Sequence, residues 1–290
     1  MSLAKFEIFN TVVELGSLNE ASLKLGLTPS AVSHALTSLE NEWGFSILAR
    51  GRSGVHLTSN GELALQYIRE MLKSNEQMMQ QIANINGLET GTIRIGTFSS
   101  VSIQWLPEIM NSFHQQHPSI EIKLFEGNYN EITQWIVSGV VDFGFLSLPT
   151  LKSLEVILLK KDPMFCVLSN SHILTQYDEI DFEHIEKEQI IMPRVGCDSD
   201  IRRIFKENNR VPNIKFELID DQAIFSMVKN GLGISILPEL ALYRLPEQIQ
   251  IRSLKGDFFR SIGIAAVSFK NHSPATKKFV EYIQLWLNQS

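Results

Sequence analysis

The feature that most constrains the fold is the stretch at residues 21–43, ASLKLGLTPSAVSHALTSLENEW. It predicts two helices joined by a tight turn. Gly26 can adopt the positive φ that often ends a helix. Thr28 offers an N-cap oxygen, and Pro29 suits the first helical position, where no N–H is needed. Apolar residues then follow at helical spacing and predict one buried stripe: Val32, Leu36, Leu39 and Trp43.

Short polar side chains occupy the opposite face of the second helix. No acidic residue lies between Glu20 and Glu40, which favours a surface that approaches a polyanion. The pattern is typical of a helix-turn-helix whose second helix enters the DNA major groove by its N-terminal end. The alternative is a capped amphipathic helix whose hydroxyl-rich face meets only solvent. The candidate DNA-binding residues on this helix are Thr28, Pro29, Ser30, Ser33, His34 and Thr37.

A basic segment follows Gly44, which is expected to end the helix. Two short apolar runs flank the glycine-rich turn at residues 51–54 and predict a two-stranded wing. Such wings contact the DNA backbone or minor groove, where Arg is favoured. Arg52 is the stronger DNA-binding candidate, whereas Arg50 could instead form a salt bridge with Glu40 or Glu42.

Composition limits the classes of protein that fit this chain of 290 residues. Its net charge of −6 argues against indiscriminate nucleic-acid binding. No apolar run approaches the roughly 20 residues of a membrane span, and the N-terminus does not resemble a secretory leader. Cys166 and Cys197 lie far apart and form neither a metal-binding motif nor a disulfide framework. We therefore expect a cytoplasmic protein without metal or cofactor.

Four motifs in the first 62 residues carry a resemblance to a known family. They are FxxVxExGSLxxA at residues 9–21, TPSAVSHALxxLE at 28–40, GxxILxR at 44–50 and LTxxGE at 57–62. In this order and spacing the chain resembles the LysR-type transcriptional regulators. The resemblance implies that the helix and wing read DNA. His34 stands where the family often has Arg, which implies readout less committed to guanine.

A long helix is predicted from Thr58 or Ser59 to about Asn86. At 1.5 Å per residue, about 25 residues would span nearly 40 Å. A 58-residue module cannot bury its whole apolar seam, so the expected partner is the same helix of a second copy. The alternative is docking on the chain's own C-terminal domain. The resemblance also implies a dimerising linker, and a twofold dimer expects an inverted-repeat site. The seam residues are Leu65, Ile68, Leu72, Met79, Ile82 and Ile85.

The predicted domains are a winged helix-turn-helix at residues 1–58, a linker helix at 59–87 and an effector-binding domain at 91–290. Alternating strands and helices in the last part predict an α/β fold with a mainly parallel sheet. The run MVKNGLGISILPE at residues 227–239 resembles the two-lobed effector domain of the same family, which is similar in shape to periplasmic solute-binding proteins. We assign 91–161 and 268–290 to lobe I, and 162–267 to lobe II.

Ligands of open α/β sheets lie at the carboxyl ends of strands, beside helix N-termini. Hydroxyl and free N–H groups there favour an anion such as a carboxylate. Ser100 and Asp198 could instead only cap helices, and nearby acidic residues leave the ligand's charge open. Cys197 could alternatively be a redox-active thiol. The candidate effector-binding residues are Thr97, Ser99, Ser100, Asn128, Ser147, Cys197 and Asp198.

The predicted function is a regulator that binds an inverted-repeat promoter site as a dimer or tetramer and responds to a small molecule. Its expected partners are double-stranded DNA, the effector, a second copy and RNA polymerase. An enzyme is not expected, because the sequence contains no nucleophile elbow and no glycine-rich phosphate loop. The remaining alternative is a cytoplasmic small-molecule-binding protein or redox sensor without ligand-gated regulation.

Overall fold

The computed structural model describes the backbone of residues 2–51 and 54–289, and the side chains of residues 2–49 and 55–288. The chain forms two compact units. One contains the residues up to Gly91 with Ser138–Val140, and the other contains Thr92–Val137 and the residues from Val141 onward. None of the helices described is long and apolar enough to cross a membrane.

The first unit is a winged helix-turn-helix followed by a long helix, as predicted. Its core is formed by apolar side chains of the first three helices, among them Phe9, Val12 and Val32, which are fully buried. The elements are α1 (Leu3–Leu15), α2 (Leu18–Leu25), α3 (Pro29–Trp43), β1 (Leu48–Gly51), β2 (Gly54–Leu57) and α4 (Ser59–Ile85).

Local chemistry fixes where these helices begin. The side chains of Ser17, Thr28 and Thr58 each accept a backbone N–H of the first turn, at 3.3, 3.2 and 3.0 Å. The Thr28 cap is the one that the sequence predicts, and the other two follow the same preference of Ser and Thr for the N-cap position. Glycines with positive φ follow the first three helices, and the N–H groups of Gly26 and Gly44 donate to carbonyl groups of the last turns of α2 and α3.

Helix α4 has two halves with different surroundings. Leu65 and Ile68, from the predicted seam, are buried in the core of the first unit, at 5% and 1% exposure. Further along the same helix, Met79, Ile82 and Ile85 are 56%, 46% and 75% exposed. The first unit therefore covers only the beginning of the seam, and the second half presents apolar side chains to solvent.

The second unit has a two-lobed α/β fold, also as predicted. Two short 3₁₀ turns accompany its helices and strands. The elements are β3 (Gly91–Thr97), α5 (Ser99–Gln104), α6 (Leu106–Gln116), β4 (Ile120–Glu126), α7 (Tyr129–Val137), β5 (Phe143–Leu148), β6 (Glu155–Ser169), β7 (Glu179–Ile180), α8 (Phe182–Ile185), β8 (Ile190–Pro193), α9 (Ser199–Glu207), β9 (Ile214–Leu218), α10 (Asp221–Lys229), β10 (Ser235–Pro238), β11 (Ile249–Leu254), β12 (Phe259–Ala266) and α11 (Pro274–Gln289).

Strand β6 connects the two lobes. The strand order is β4-β3-β5-β12-β6-β11-β7, with β10 also paired to β6. The first half of β6 pairs with β12, and its second half pairs with β10 and β11. One strand of 15 residues therefore belongs to the sheets of both lobes. The remaining strands, β8 and β9, pair in parallel in the second lobe.

The structure corrects two expectations about this unit. The predicted assignment placed β12 in lobe II, but β12 lies between β5 and β6 in the sheet of lobe I and is antiparallel to both. The alternation of elements along the chain does not reveal which sheet a strand joins. The sheet is also not mainly parallel as expected, because β10, β11 and β12 each pair antiparallel to β6. The segment at residues 99–116 forms two helices that meet at Trp105. Pro107 explains this break, because it has no N–H to continue the first helix.

Candidate functional site

The turn between α2 and α3 is fixed by backbone and side-chain hydrogen bonds. Gly26 has φ +65°, and the N–H of Leu27 donates to the carbonyl of Ser22 at 2.9 Å. Thr28 Oγ1 accepts the N–H of Ala31 and lies 3.0 Å from Ser30 Oγ. The first turn of α3 therefore starts at a defined position, and its polar side chains project from a rigid support.

Helix α3 presents one polar face outward. Val32, Leu36 and Leu39 are buried on the other face, so the side chains opposite this stripe point away from the core. Ser33 is half-buried. The predicted DNA-binding residues that are exposed are Thr28, Pro29, Ser30, His34 and Thr37. Arg52 and the side chain of Arg50 lie outside the described residues.

Charged residues near this face are engaged elsewhere. Lys24 forms an ion pair with Glu14 at 3.3 Å, so it is already neutralised within the unit. The carboxylate of Glu40 accepts the N–H of Ile47 at 2.9 Å. Glu42 lies 3.8 Å from Lys5 Nζ. Glu40 and Glu42, the two alternative partners of Arg50, therefore both have other contacts.

A small cavity of about 50 Å³ lies where the two lobes of the second unit meet. The ends of several strands and the starts of four helices (α5, α7, α9 and α10) converge on it, which is where α/β proteins bind ligands. Lobe I contributes Ser99, Ser100 and Arg260, and lobe II contributes Cys197 and Asp221. Further apolar walls come from Met164, Ile201, Ile219 and Leu237.

Arg260 is the central polar residue of the cavity and is only 4% exposed. It lies opposite Asp162 in the register of β12 and β6, and its Nε donates to Asp162 Oδ2 at 2.7 Å. Its Nη2 donates to Ser100 Oγ at 2.8 Å, and its Nη1 donates to Tyr129 OH at 3.1 Å. The guanidinium also lies 4.9 Å from the centre of the Phe98 ring. These contacts hold a planar cation in one orientation.

The protonation states around Arg260 follow from burial and charge. Burial opposes the charged guanidinium, but Tyr129 and Asp162 outweigh this effect and raise the pKa of Arg260. Burial raises the pKa of Tyr129 to about 12, although the nearby cation lowers it in part. At neutral pH the cavity therefore contains a cationic Arg260 and a neutral Tyr129 hydroxyl.

Two aspartates face the cavity from the second lobe. Asp200 is buried and pairs with Arg203 at 3.3 Å. Asp221, in the first turn of α10, is half-buried and has no ion pair among the described residues. Burial raises the pKa of Asp221 to about 6; Arg260 counteracts this rise, and the neighbouring Asp220 adds to it. Asp221 therefore carries a poorly compensated negative charge at neutral pH.

Two family profiles match the chain over these same units. The profile "Bacterial regulatory helix-turn-helix protein, lysR family" matches residues 3–62. The profile "LysR substrate binding domain" matches residues 86–287. The chain belongs to the LysR family of transcriptional regulators. It has the helix-turn-helix domain and the effector-binding domain of that family.

Known proteins resemble this LysR regulator over nearly its whole length. It is 34% identical to the uncharacterized HTH-type transcriptional regulator YvbU of Bacillus subtilis, over 97% of each chain. A full-length OxyR variant from Pseudomonas aeruginosa has a TM-score of 0.77 at 20% identity, covering 99% of this chain and 97% of that one. CbnR in complex with its target DNA has a TM-score of 0.67 at 19% identity, covering 98% and 99%. These two likenesses show the fold.

A further solved structure matches the effector-binding domain alone. The effector-binding domain of QuiR in complex with shikimate is 26% identical and has a TM-score of 0.61. The match covers 69% of this chain and 98% of that domain.

Three of the predicted effector residues of the LysR regulator line the cavity: Ser99, Ser100 and Cys197. Ser100 accepts a hydrogen bond from Arg260, whereas α5 has no side-chain cap at its start. The alternative role of Ser100 as a helix cap is therefore not observed.

The other predicted effector residues have structural partners or a buried position. Thr97 is fully buried, and its Oγ1 lies 3.3 Å from Ser102 Oγ. Asn128 Oδ1 accepts two backbone N–H groups at the start of α7. Ser147 is 8% exposed, and its Oγ has no hydrogen-bond partner among the described residues.

Asp198 also has a structural role. It accepts the N–H of Gly196 at 3.0 Å and forms an ion pair with Arg202. The four side chains of Thr97, Asn128, Ser147 and Asp198 are not among those that line the cavity. Strand-end position alone does not decide which side chain points inward.

The two cysteines are poorly suited to redox chemistry. Cys197 keeps access to solvent, but the protein atoms packed around it disfavour the thiolate and, with Asp221, raise its pKa to about 11. Cys166 is fully buried within β6, and burial raises its pKa strongly. Reactive thiols need a lowered pKa. Among the described residues, no group of His, Cys, Asp or Glu is arranged to hold a metal ion.

The sequence interpretation missed Arg260 and Tyr129 and did not include Asp221 among its site residues. The signal for Arg260 was present, since it is a single charged residue at the start of the apolar strand FRSIGIAA. Tyr129 resembled an ordinary apolar position of α7 and carried no signal of its own.

Proposed function

We propose that this LysR regulator binds an inverted-repeat promoter site as a homodimer or tetramer and that a small molecule in the cavity controls its binding. The observation that carries the proposal is the exposed, acid-free polar face on the first turns of α3. CbnR, which shares this fold, has been solved in complex with its target DNA. A protein with this activity would work in the cytoplasm, with RNA polymerase as a further partner.

The polar face of α3 suits direct readout of base edges. His34 and Thr37 lie one helical turn apart and are both exposed, and each can donate or accept a hydrogen bond. Since the chain carries a net charge of −6, attraction to DNA depends on few, well-placed phosphate contacts. Binding is therefore expected to weaken as salt rises, with a shallower slope than for strongly basic proteins.

The distal half of α4 supports a dimer. Its 27 residues span about 40 Å, which exceeds what the first unit covers. Met71, Met78, Ile82 and Ile85 are all more than 40% exposed and recur at intervals of seven, four and three residues. This spacing is typical of a coiled-coil seam that pairs with a second helix.

The cavity supports control by a ligand. Arg260 uses three of its five N–H groups for Asp162, Ser100 and Tyr129, which leaves two for an acceptor oxygen. Residues of both lobes line the cavity, so a ligand there would favour one arrangement of the lobes over another. This differential affinity is what couples ligand binding to DNA binding.

Substitution of His34 by Ala tests the DNA contact. His34→Ala should weaken specific binding to a duplex from the region upstream of the protein's own gene by tenfold or more, as expected for a lost base contact. Fluorescence anisotropy at several salt concentrations measures this. Asn41→Ala is the matched control, because Asn41 is exposed on the same face two turns nearer the C-terminus of α3. Equal losses for both variants, or none for either, would contradict docking by the N-terminal end.

Substitution of Ile82 by Glu tests the dimer. Ile82→Glu places a charge in the exposed stripe and should shift the protein toward monomer in analytical ultracentrifugation, with loss of DNA affinity. Leu63→Glu is the control, since Leu63 is 64% exposed on the same helix but outside the stripe. A dimer that survives Ile82→Glu with an unchanged dissociation constant would refute the proposed seam.

A further inference from the structure

The geometry points to a small zwitterionic ligand: a carboxylate that binds Arg260 and an ammonium group that binds Asp221, as in an α-amino acid with a short side chain. The inference rests on the proposed function only in taking the cavity between the lobes as the effector site. It adds the chemical class of the ligand to that function.

The first step is the charge balance of the cavity. The cation of Arg260 is already paired with Asp162 at 2.7 Å. Asp200 is likewise paired with Arg203 at 3.3 Å. Asp221 is the acidic residue of the lining that has no ion pair among the described residues. The charges within each ion pair cancel, so the net charge of the cavity is that of the single carboxylate of Asp221.

A ligand with only negative charge would increase this imbalance. A half-buried carboxylate without a partner is costly, and a second anion in the same small space would raise the cost further. An ammonium group near Asp221 instead provides the missing opposite charge. The raised pKa of Asp221 agrees with this geometry, because burial and Asp220 disfavour its charged form until a cation arrives.

Arg260 provides the complementary half of the site. The guanidinium is 4% exposed and held by Asp162, Ser100 and Tyr129. Its two remaining N–H groups can donate to carboxylate oxygens, which is the geometry that Arg recognises best. A buried, oriented cation in lobe I and an uncompensated carboxylate in lobe II therefore match the two charges of one zwitterion.

The size and walls of the cavity limit the rest of the ligand. The volume of about 50 Å³ is roughly a third of the 150 Å³ engineered cavity that holds benzene. Ile201, Ile219 and Leu237 provide apolar wall surface. Since alanine has as many heavy atoms as benzene, even a small amino acid would bind with some separation of the lobes, and the apolar walls favour an aliphatic side chain.

Matched pairs of small ligands test the inference on the full-length protein. L-alanine is compared with propionate and L-lactate, and L-valine with 3-methylbutanoate, by isothermal titration calorimetry at pH 8. We expect the amino acids to bind at least tenfold more tightly than the carboxylates that lack the amine. Asp221→Asn should lower amino-acid affinity at least tenfold, and it should raise carboxylate affinity or leave it unchanged, because it removes a negative charge from the cavity.

Asp220→Asn is the matched control for this experiment. It removes the same charge one residue away, but Asp220 is exposed and caps α10 through the N–H of Gln222 at 2.8 Å. Asn is also a good N-cap, so amino-acid affinity should change less than twofold. Tyr129→Phe, which removes one hydrogen bond to Arg260, should weaken both ligand classes alike.

The outcomes separate this inference from the proposed function. Carboxylates that bind as tightly as the amino acids, or an Asp221→Asn protein that keeps its amino-acid affinity, would overturn the zwitterion and leave the cavity as effector site. If Tyr129→Phe leaves the affinity of both ligand classes unchanged, the ligands do not bind in this cavity. The effector part of the proposed function would then be wrong as well. No binding by any probe at 10 mM would also overturn the inference.

Discussion

Replacement of Asp221 by Asn should stabilise the regulator at alkaline pH and not at acidic pH. In the folded protein the pKa of Asp221 is raised from 3.8 to about 6, mainly by burial. Between these values the folded state holds more protons than the unfolded state, so the stability contributed by this group falls as pH rises. Above pH 6 the destabilisation is complete, and below pH 4 it is absent.

The magnitude follows from the difference between the two pKa values. About two pH units correspond to about 3 kcal/mol, at about 1.36 kcal/mol per unit. Asp221 is half-buried, so solvent screening reduces this value, and the Asn amide must also be accommodated. We therefore expect Asp221→Asn to raise the free energy of unfolding by about 1–2 kcal/mol at pH 8 and by less than about 0.5 kcal/mol at pH 4.

Urea unfolding followed by tryptophan fluorescence measures this effect on the full chain. Three of the four tryptophans, Trp105, Trp135 and Trp286, lie in the effector-binding unit. The wild-type protein and Asp220→Asn serve as references at each pH, so that changes in other acidic residues cancel. An Asp221→Asn protein that gains equally at both pH values, or loses stability at pH 8, would refute the assignment of an uncompensated charge to Asp221.

Two further substitutions test other parts of the structure. Gly61→Ala should destabilise the first unit by about 2 kcal/mol or more, because the new Cβ would lie 2.1 Å from the Ile47 carbonyl oxygen; thermal denaturation followed by circular dichroism checks this, with the exposed Asn60→Ala as control. Cys197→Ser should leave DNA affinity unchanged, and hydrogen peroxide should not change the DNA affinity of the wild-type protein, because a thiol with a pKa of about 11 is not reactive at neutral pH. A change in DNA affinity with peroxide that is lost in Cys197→Ser would contradict this.

The local features of the DNA-binding unit could be predicted because they depend on neighbouring residues. Ser17, Thr28 and Thr58 cap helices through hydrogen bonds to the N–H three residues further along. The exposure of Ser30, His34 and Thr37 follows from the helical period and the buried stripe beside them. Their role in binding DNA stays a prediction that the His34 experiment tests.

The composition of the cavity was decided only by the tertiary structure. Arg260 contacts Asp162, Tyr129 and Ser100, which lie 98, 131 and 160 positions away in the chain. The crossing of β6 between the lobes and the register of β12 bring these residues together. A helix carries its own spacing in the sequence, whereas strand pairing joins distant segments whose register no local pattern reveals. The order of residues along the chain therefore determined the predicted DNA-binding face, whereas the packing of the lobes decided which charged side chains meet in the cavity.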